Sequence, residues 1–135
     1  MMPLILIAAA ALAGCTVTDG YTIRCNGERI RLLGVDAPDD PGNSRCRPVL
    51  KPGTICDRQR AAASKASLQG IMAGPLSIER VGTDRYGRTL AIVYAQGRSL
   101  SCHQIAGGQA TYVARWDQGA RVARECPREA AGAAR

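Results

Sequence analysis

V-T-D-G-Y-T-I-R-C-N-G-E-R-I-R-L-L-G-V-D-A-P-D, residues 17–39, is the stretch whose reading decides the fold. Apolar and polar residues alternate on both sides of Asn26-Gly27, a dipeptide that favours the positive backbone angles of a tight hairpin. The spacing predicts short strands at residues 17–18 and 22–25 around Asp19-Gly20, and a third at 28–35. The run then ends in Asp36-Ala-Pro-Asp39, a turn that brings two carboxylates to a strand end. A second informative stretch, D-R-Y-G-R-T-L-A at residues 84–91, sets Arg85 and Arg88 about a Tyr86-Gly87 pair just before an apolar strand.

Outward from these stretches the organisation is mixed. Residues 40–53 hold Pro41, Gly42, Pro48, Pro52 and Gly53 and read as a loop. Residues 58–72 are rich in Ala, Gln and Leu without proline and read as a helix ending near Gly74-Pro75. Strands follow at 76–81 and 89–94, and a short helix at 99–106 stops at Gly107-Gly108. Asp117 is placed to cap a last helix running to Arg124, and the Ala-rich tail 129–135 reads as frayed. Five short strands with a helix after the third predict an α+β fold, a five-stranded OB-type barrel with about three packed helices.

At 135 residues the chain is long enough for one domain with one core. It contains no Phe and a single Trp, so that core is aliphatic. The formal net charge is +7, and Lys51 and Lys65 are the only lysines among eighteen basic residues. Arginine stays charged and presents a planar fork that fits phosphate. The composition therefore suits a polyanion, although an arginine-rich solvated surface has the same composition.

The apolar run at residues 4–13 is too short to span a bilayer as a helix and fits the apolar segment of a signal peptide. It is preceded by neither Lys nor Arg. Ala11-Leu12-Ala13 fits a cleavage site, and Leu12-Ala13-Gly14-Cys15 fits a lipobox, which would anchor the chain through Cys15. The same stretch can also serve as a first strand. The expected division is a leader at 1–14, a domain at 15–128 and the tail. Six cysteines (Cys15, Cys25, Cys46, Cys56, Cys102 and Cys126) agree with an extracytoplasmic, disulfide-bonded protein. Of the pairings open to them, proximity favours Cys15–Cys25, Cys46–Cys56 and Cys102–Cys126. The first competes with lipidation for the same sulfur. With no C-x-x-C pair and His103 as the sole histidine, zinc is a poor alternative.

The motifs D-G-x-T-I-R, R-L-L-G-V-D-A-P and D-R-Y-G-R-T-L-A, followed by G-x-A-x-Y at residues 108–112, resemble in order and separation those of the staphylococcal nuclease (thermonuclease) family. The resemblance extends over residues 17–124 or so. It implies an OB-type barrel with helices and calcium-dependent hydrolysis of DNA and RNA phosphodiesters. It also implies that Arg31 and Arg88 clamp phosphate, that Asp36 ligates calcium, that Asp39 stands where the family has a glutamate base, and that Tyr86, beside Arg85, lies near the bound phosphate.

The residues themselves permit that chemistry. A phosphodiester in its transition state needs cationic charge on its oxygens and a group to orient water. Arg31 and Asp36 can reach one cleft from a single strand and its turn, and Arg88 can approach from another. Taken singly, each has a plain alternative as a rim ion pair, a turn residue or a hairpin charge. His103 lies outside the motifs, and Trp116 reads as packing for the last segment.

Two departures from the family pattern bear on activity. Tyr21 stands where the family has a calcium-binding aspartate, and a phenol is neutral near pH 7. Calcium affinity follows ligand charge, so a weakened site is expected, with Asp19 as a doubtful replacement. Asp39 is also one methylene shorter than glutamate. Two expectations follow. One is an exported, thermonuclease-like endonuclease, monomeric, with a weakened calcium site. The other is a catalytically impaired module that binds nucleic acid.

Overall fold

The computed structural model describes residues 10–135, so most of the expected leader lies outside the described residues. The chain begins with β1 (Ala10–Leu12), β2 (Cys15–Asp19), β3 (Thr22–Cys25) and β4 (Glu28–Leu32). Next come β5 (Val35–Asp36), α1 (Arg58–Ile71), β6 (Leu76–Thr83), β7 (Thr89–Ala95) and β8 (Arg98–Ser99). It ends with α2 (Leu100–Ala106), β9 (Thr111–Tyr112), α3 (Arg121–Glu125) and α4 (Pro127–Gly132).

β2, β3, β4, β6 and β7 are the five strands expected from the sequence. They lie in the order β6-β7-β4-β3-β2 within one curled sheet, with β1 added beside β6 and β8 beside β7. The α+β, OB-type architecture is therefore present, with more strands than the five predicted. The extra ones are too short for periodicity to mark. Residues 10–12 of the expected leader are β1, antiparallel to β6, so part of that stretch serves as a strand of the domain.

Local chemistry explains the main turns. Asn26 and Gly27 take φ 48° and 82°, as a hairpin with two left-handed residues requires. The expected strand 28–35 is broken at Gly34, whose φ of 74° turns β5 away to pair with β9. β4 runs parallel to β7, with Arg31 opposite Leu90. That single parallel pairing carries Arg31 to the strand end where Arg88 emerges.

Asp57 caps α1 by accepting the Arg60 N–H at 3.0 Å. Ser99 caps α2 by accepting the Cys102 N–H at 3.0 Å. The core between sheet and helices is aliphatic, with Ile23, Ile30, Leu32, Leu68, Val93 and Leu100 fully buried.

The three expected disulfides are all present, Cys15–Cys25, Cys46–Cys56 and Cys102–Cys126. Cys15 and Cys25 face each other directly across the β2–β3 ladder. The Cys15 sulfur is therefore committed to Cys25, which a lipid thioether would preclude.

The tail 129–135 is not frayed, contrary to expectation. Pro127 starts α4 at a position that needs no N–H, and Ala130 is buried. The Tyr112 N–H donates to the Ala133 carbonyl at 2.9 Å and the Arg135 N–H to the Tyr112 carbonyl at 3.0 Å, extending the β9 edge. Among the described residues no helix is long and apolar enough to cross a membrane.

Candidate functional site

The β2–β3 hairpin presents Tyr21 inward. Its turn is held from behind: the Gln104 side-chain amide donates to the Gly20 carbonyl and to the Ser64 carbonyl, each at 2.9 Å. Gly20 packs so closely that a Cβ there would lie 1.9 Å from the Ser64 hydroxyl oxygen. The Tyr21 N–H donates to Asp19 Oδ1 at 3.0 Å, so Asp19 serves the turn. Burial raises the Asp19 carboxyl above its ordinary value, against the pull of that hydrogen bond.

Tyr21 is 3% exposed, and its hydroxyl donates to Asp39 Oδ1 at 2.5 Å. The phenol pKa is raised by burial and by the negative charge of Asp19 and Asp39, so it remains a donor at neutral pH. Its ring carries the Arg31 guanidinium 4.1 Å above the centroid, and the Trp116 ring lies 5.3 Å from the same guanidinium. Trp116, read from the sequence as packing, is thus a platform shared with Arg135, whose guanidinium sits 5.6 Å from it.

Arg31 is the most unusual charge in the protein. It is 8% exposed, and desolvation pulls its pKa down to about 10, which leaves it cationic at neutral pH. Among the described residues its side chain donates one hydrogen bond, a long 3.5 Å contact to the Leu32 carbonyl. A guanidinium has five N–H groups, and a buried one ordinarily satisfies them with carboxylates or carbonyls.

Arg88 lies near enough for its charge to depress the Arg31 pKa further. Its Nε donates to Asp84 Oδ2 at 2.7 Å, while its terminal nitrogens bond no protein acceptor among the described residues. Asp84 also accepts the Tyr86 and Arg88 N–H groups at 2.9 Å each, which shapes the 84–88 turn. Tyr86, 57% exposed, offers its ring to Arg85 at 5.0 Å and to Arg88 at 5.6 Å. Arg31, Arg88, Arg85 and Tyr86 therefore form a cationic recess with an aromatic rim.

The acids are organised differently from expectation. Asp36 and Asp39 are 4% and 1% exposed. Arg45, from the 40–53 loop, bridges them: its Nη1 lies 2.6 Å from Asp36 Oδ1 and 3.2 Å from Asp39 Oδ2, and its Nη2 lies 3.2 Å from Asp36 Oδ2. Arg135 adds a bond to Asp36 Oδ2 at 2.8 Å. Burial opposes ionisation of Asp36, but the Arg45 and Arg135 hydrogen bonds and charges win, and its pKa is lowered. At Asp39 burial wins over Tyr21 and Arg45, and the pKa is raised.

Calcium takes about six to eight oxygen ligands. Here each oxygen of Asp36 and Asp39 already accepts from Arg45, Arg135 or Tyr21, so the residues in this arrangement do not fit that ion.

Sequence reasoning missed Arg45 and Arg135. Nothing in the loop composition marks Arg45, and Arg135 falls in the segment that was expected to fray. His103 lies apart from the recess, its ring 3.1 Å from the Ser67 hydroxyl, linking α2 to α1.

The family model described as "Staphylococcal nuclease homologue" matches residues 29–135, which include Arg31, Asp36, Asp39, Arg45, Arg85, Tyr86, Arg88 and Arg135 but not Asp19 or Tyr21. The chain belongs to the staphylococcal nuclease family. The chain is also 33% identical over 105 residues to the succinoglycan biosynthesis protein ExoI of Rhizobium meliloti (strain 1021). That match covers 76% of this chain and 53% of the relative, so the chain spans about half the length of the curated protein it matches. In this chain the acids Asp36 and Asp39 are held by its own guanidinium groups.

Proposed function

We propose that this chain is an extracytoplasmic nucleic-acid-binding member of the staphylococcal nuclease family, gripping a phosphodiester between Arg31 and Arg88 with a base or sugar against Tyr86. Arg31 carries the reading. A largely buried guanidinium with almost no protein acceptor, whose unpaired nitrogens still reach solvent, is free to donate to an incoming phosphate oxygen. The +7 charge draws a polyanion toward that recess. The three disulfides support export. The name of the relative ExoI concerns succinoglycan biosynthesis, and with about half of that protein covered its role is not carried over.

Fluorescence anisotropy with a labelled single-stranded oligonucleotide tests this. Affinity should fall with salt as phosphate contacts release counterions, and Arg31→Met should weaken binding by about tenfold, the scale of a charge-assisted hydrogen-bond set. Equal affinity of wild type and Arg31→Met at low salt would defeat the assignment.

The second reading, a calcium-dependent nuclease that is monomeric and exported, is supported by Arg31 lying within charge range of both Asp36 and Arg88. It requires Asp36 and Asp39 to be released from Arg45. Metal-dependent cleavage of linear DNA by wild type, absent in Arg88→Ala, would favour it over the first.

A further inference from the structure

We infer that Arg45, assisted by Arg135, is a built-in cation that bridges Asp36 and Asp39, closes them to divalent metal, and makes phosphate binding at the neighbouring recess independent of metal. The phosphate half rests on the proposed function; the closure of the acid pair stands without it.

The geometry is that of an ion between two carboxylates. Arg45 contacts both oxygens of Asp36 and one of Asp39 within 3.2 Å, and the Tyr21 hydroxyl takes the remaining Asp39 oxygen at 2.5 Å. Arg135 Nη1 doubles the hold on Asp36 at 2.8 Å and also donates to the Gly53 carbonyl at 2.6 Å, tying the same loop. Two carboxylates face two guanidinium groups, so the cluster is formally neutral without a metal. A divalent ion would have to displace both arginines and strip hydrogen bonds from four carboxylate oxygens.

Arg45 is held in place by its loop. Its N–H donates to Asn43 Oδ1 at 2.9 Å, and its carbonyl accepts the Lys51 N–H at 2.9 Å. The next residue, Cys46, is joined to Cys56, and the Asp39 N–H donates to the Ile55 carbonyl at 2.8 Å. The loop is thus clamped to the acid it neutralises, and little ordering entropy opposes the contact. Tyr21 completes the arrangement: where an acid would add a third negative ligand, its neutral hydroxyl donates to Asp39 and its ring lies 5.8 Å from the Arg45 guanidinium.

The test uses the intact oxidised protein. Calcium chloride is titrated calorimetrically into wild type, Arg45→Lys, Arg45→Gln and the Arg45→Gln/Arg135→Gln double variant, with circular dichroism melts to confirm folding. Wild type should show no saturable binding up to about 10 mM, ten times the weak end of ordinary extracellular calcium sites. Arg45→Lys should match it, since a cation remains. The double variant should gain calcium affinity by about tenfold or more, because two uncompensated buried carboxylates attract a divalent ion.

In parallel, oligonucleotide anisotropy of wild type in calcium and in chelator should agree within about twofold. Sub-millimolar calcium binding by wild type overturns the closure even if every variant unfolds. A folded double variant with no gain overturns it as well. Oligonucleotide binding that needs calcium overturns the metal-independence. No oligonucleotide binding under any condition would defeat the proposed function and the phosphate half together, while the calcium titrations still judge the closure.

Discussion

Tyr21→Phe removes one oxygen from the centre of the site and leaves the ring in place. Asp39 is 1% exposed, and its Oδ1 accepts from the Tyr21 hydroxyl at 2.5 Å. Its Oδ2 keeps Arg45 at 3.2 Å in the variant, and the Arg31 guanidinium keeps its 4.1 Å stack on the ring. The loss is therefore one hydrogen bond to a buried carboxylate, with that acceptor left unsatisfied. Such a loss costs about 1–3 kcal/mol, so about 2 kcal/mol is expected. In a domain of this size that lowers Tm by about 6–10 °C.

The pH dependence supplies a second readout. The folded-state pKa of Tyr21 is raised above its ordinary value, first by burial. Its contribution to stability is fully present below about pH 10, the unfolded value, and is lost as pH rises toward the higher folded value. Wild type should therefore lose stability more steeply above about pH 10 than Tyr21→Phe does. Tyr94 and Tyr112 are also raised, but both proteins share them, so the difference isolates Tyr21. Thermal melts by circular dichroism between neutral and alkaline pH decide the matter. A Tm loss below about 2 °C, with an alkaline slope equal to wild type, would refute the claim that the hydroxyl anchors Asp39.

Three further outcomes follow from the geometry. Gly20→Ala forces a Cβ to 1.9 Å from the Ser64 hydroxyl oxygen and 2.9 Å from the Ala37 Cβ. It should lower the urea midpoint by the equivalent of about 1–3 kcal/mol with an unchanged m-value, and a neutral result would show that the hairpin turn can shift. Cys46→Ser/Cys56→Ser opens a cross-link over a sequence separation of 10. It should cost about 2–3 kcal/mol and speed amide exchange in residues 40–56, and unchanged exchange would show that hydrogen bonds alone hold the Arg45 loop. Asp117→Ala removes the acceptor of the Tyr112 hydroxyl at 2.6 Å and of the Val122 and Ala123 N–H groups at 3.1 Å each. It should cost about 2–3 kcal/mol in chemical denaturation, and a loss below about 0.5 kcal/mol would show that α3 needs no cap.

Features with a short-range physical cause were legible in the sequence. Asn26-Gly27 announced its hairpin because few residue pairs tolerate two left-handed angles in succession. Helix α1 was placed within a residue of its end, because a proline-free run stopped by Gly74-Pro75 has few other options. Asp117 was named as a cap, and its carboxylate receives the first-turn N–H groups of α3 across an intervening 3-10 turn. The continuous strand expected at 28–35 failed because Gly34 takes φ 74°, an option glycine has but does not reveal from composition.

The sequence by itself determined the α+β, OB-type class, the helix inserted after the third strand and the Asn26-Gly27 hairpin, and among the possible disulfide pairings it favoured the three that the fold then made. Each rests on turn chemistry, periodicity or a spaced motif, which are properties of neighbours in the chain. Tertiary structure alone decided what became of the acids. Arg45 meets Asp36 across 9 residues and Arg135 meets it across 99, and no periodicity links them. The physical reason is charge balance under burial: two carboxylates shut away from water require cations, and the fold decides whether those come from solution or from the chain. Here the loop stapled by Cys46–Cys56 and the segment after α4 deliver them, and the acid pair is closed by the protein's own arginines.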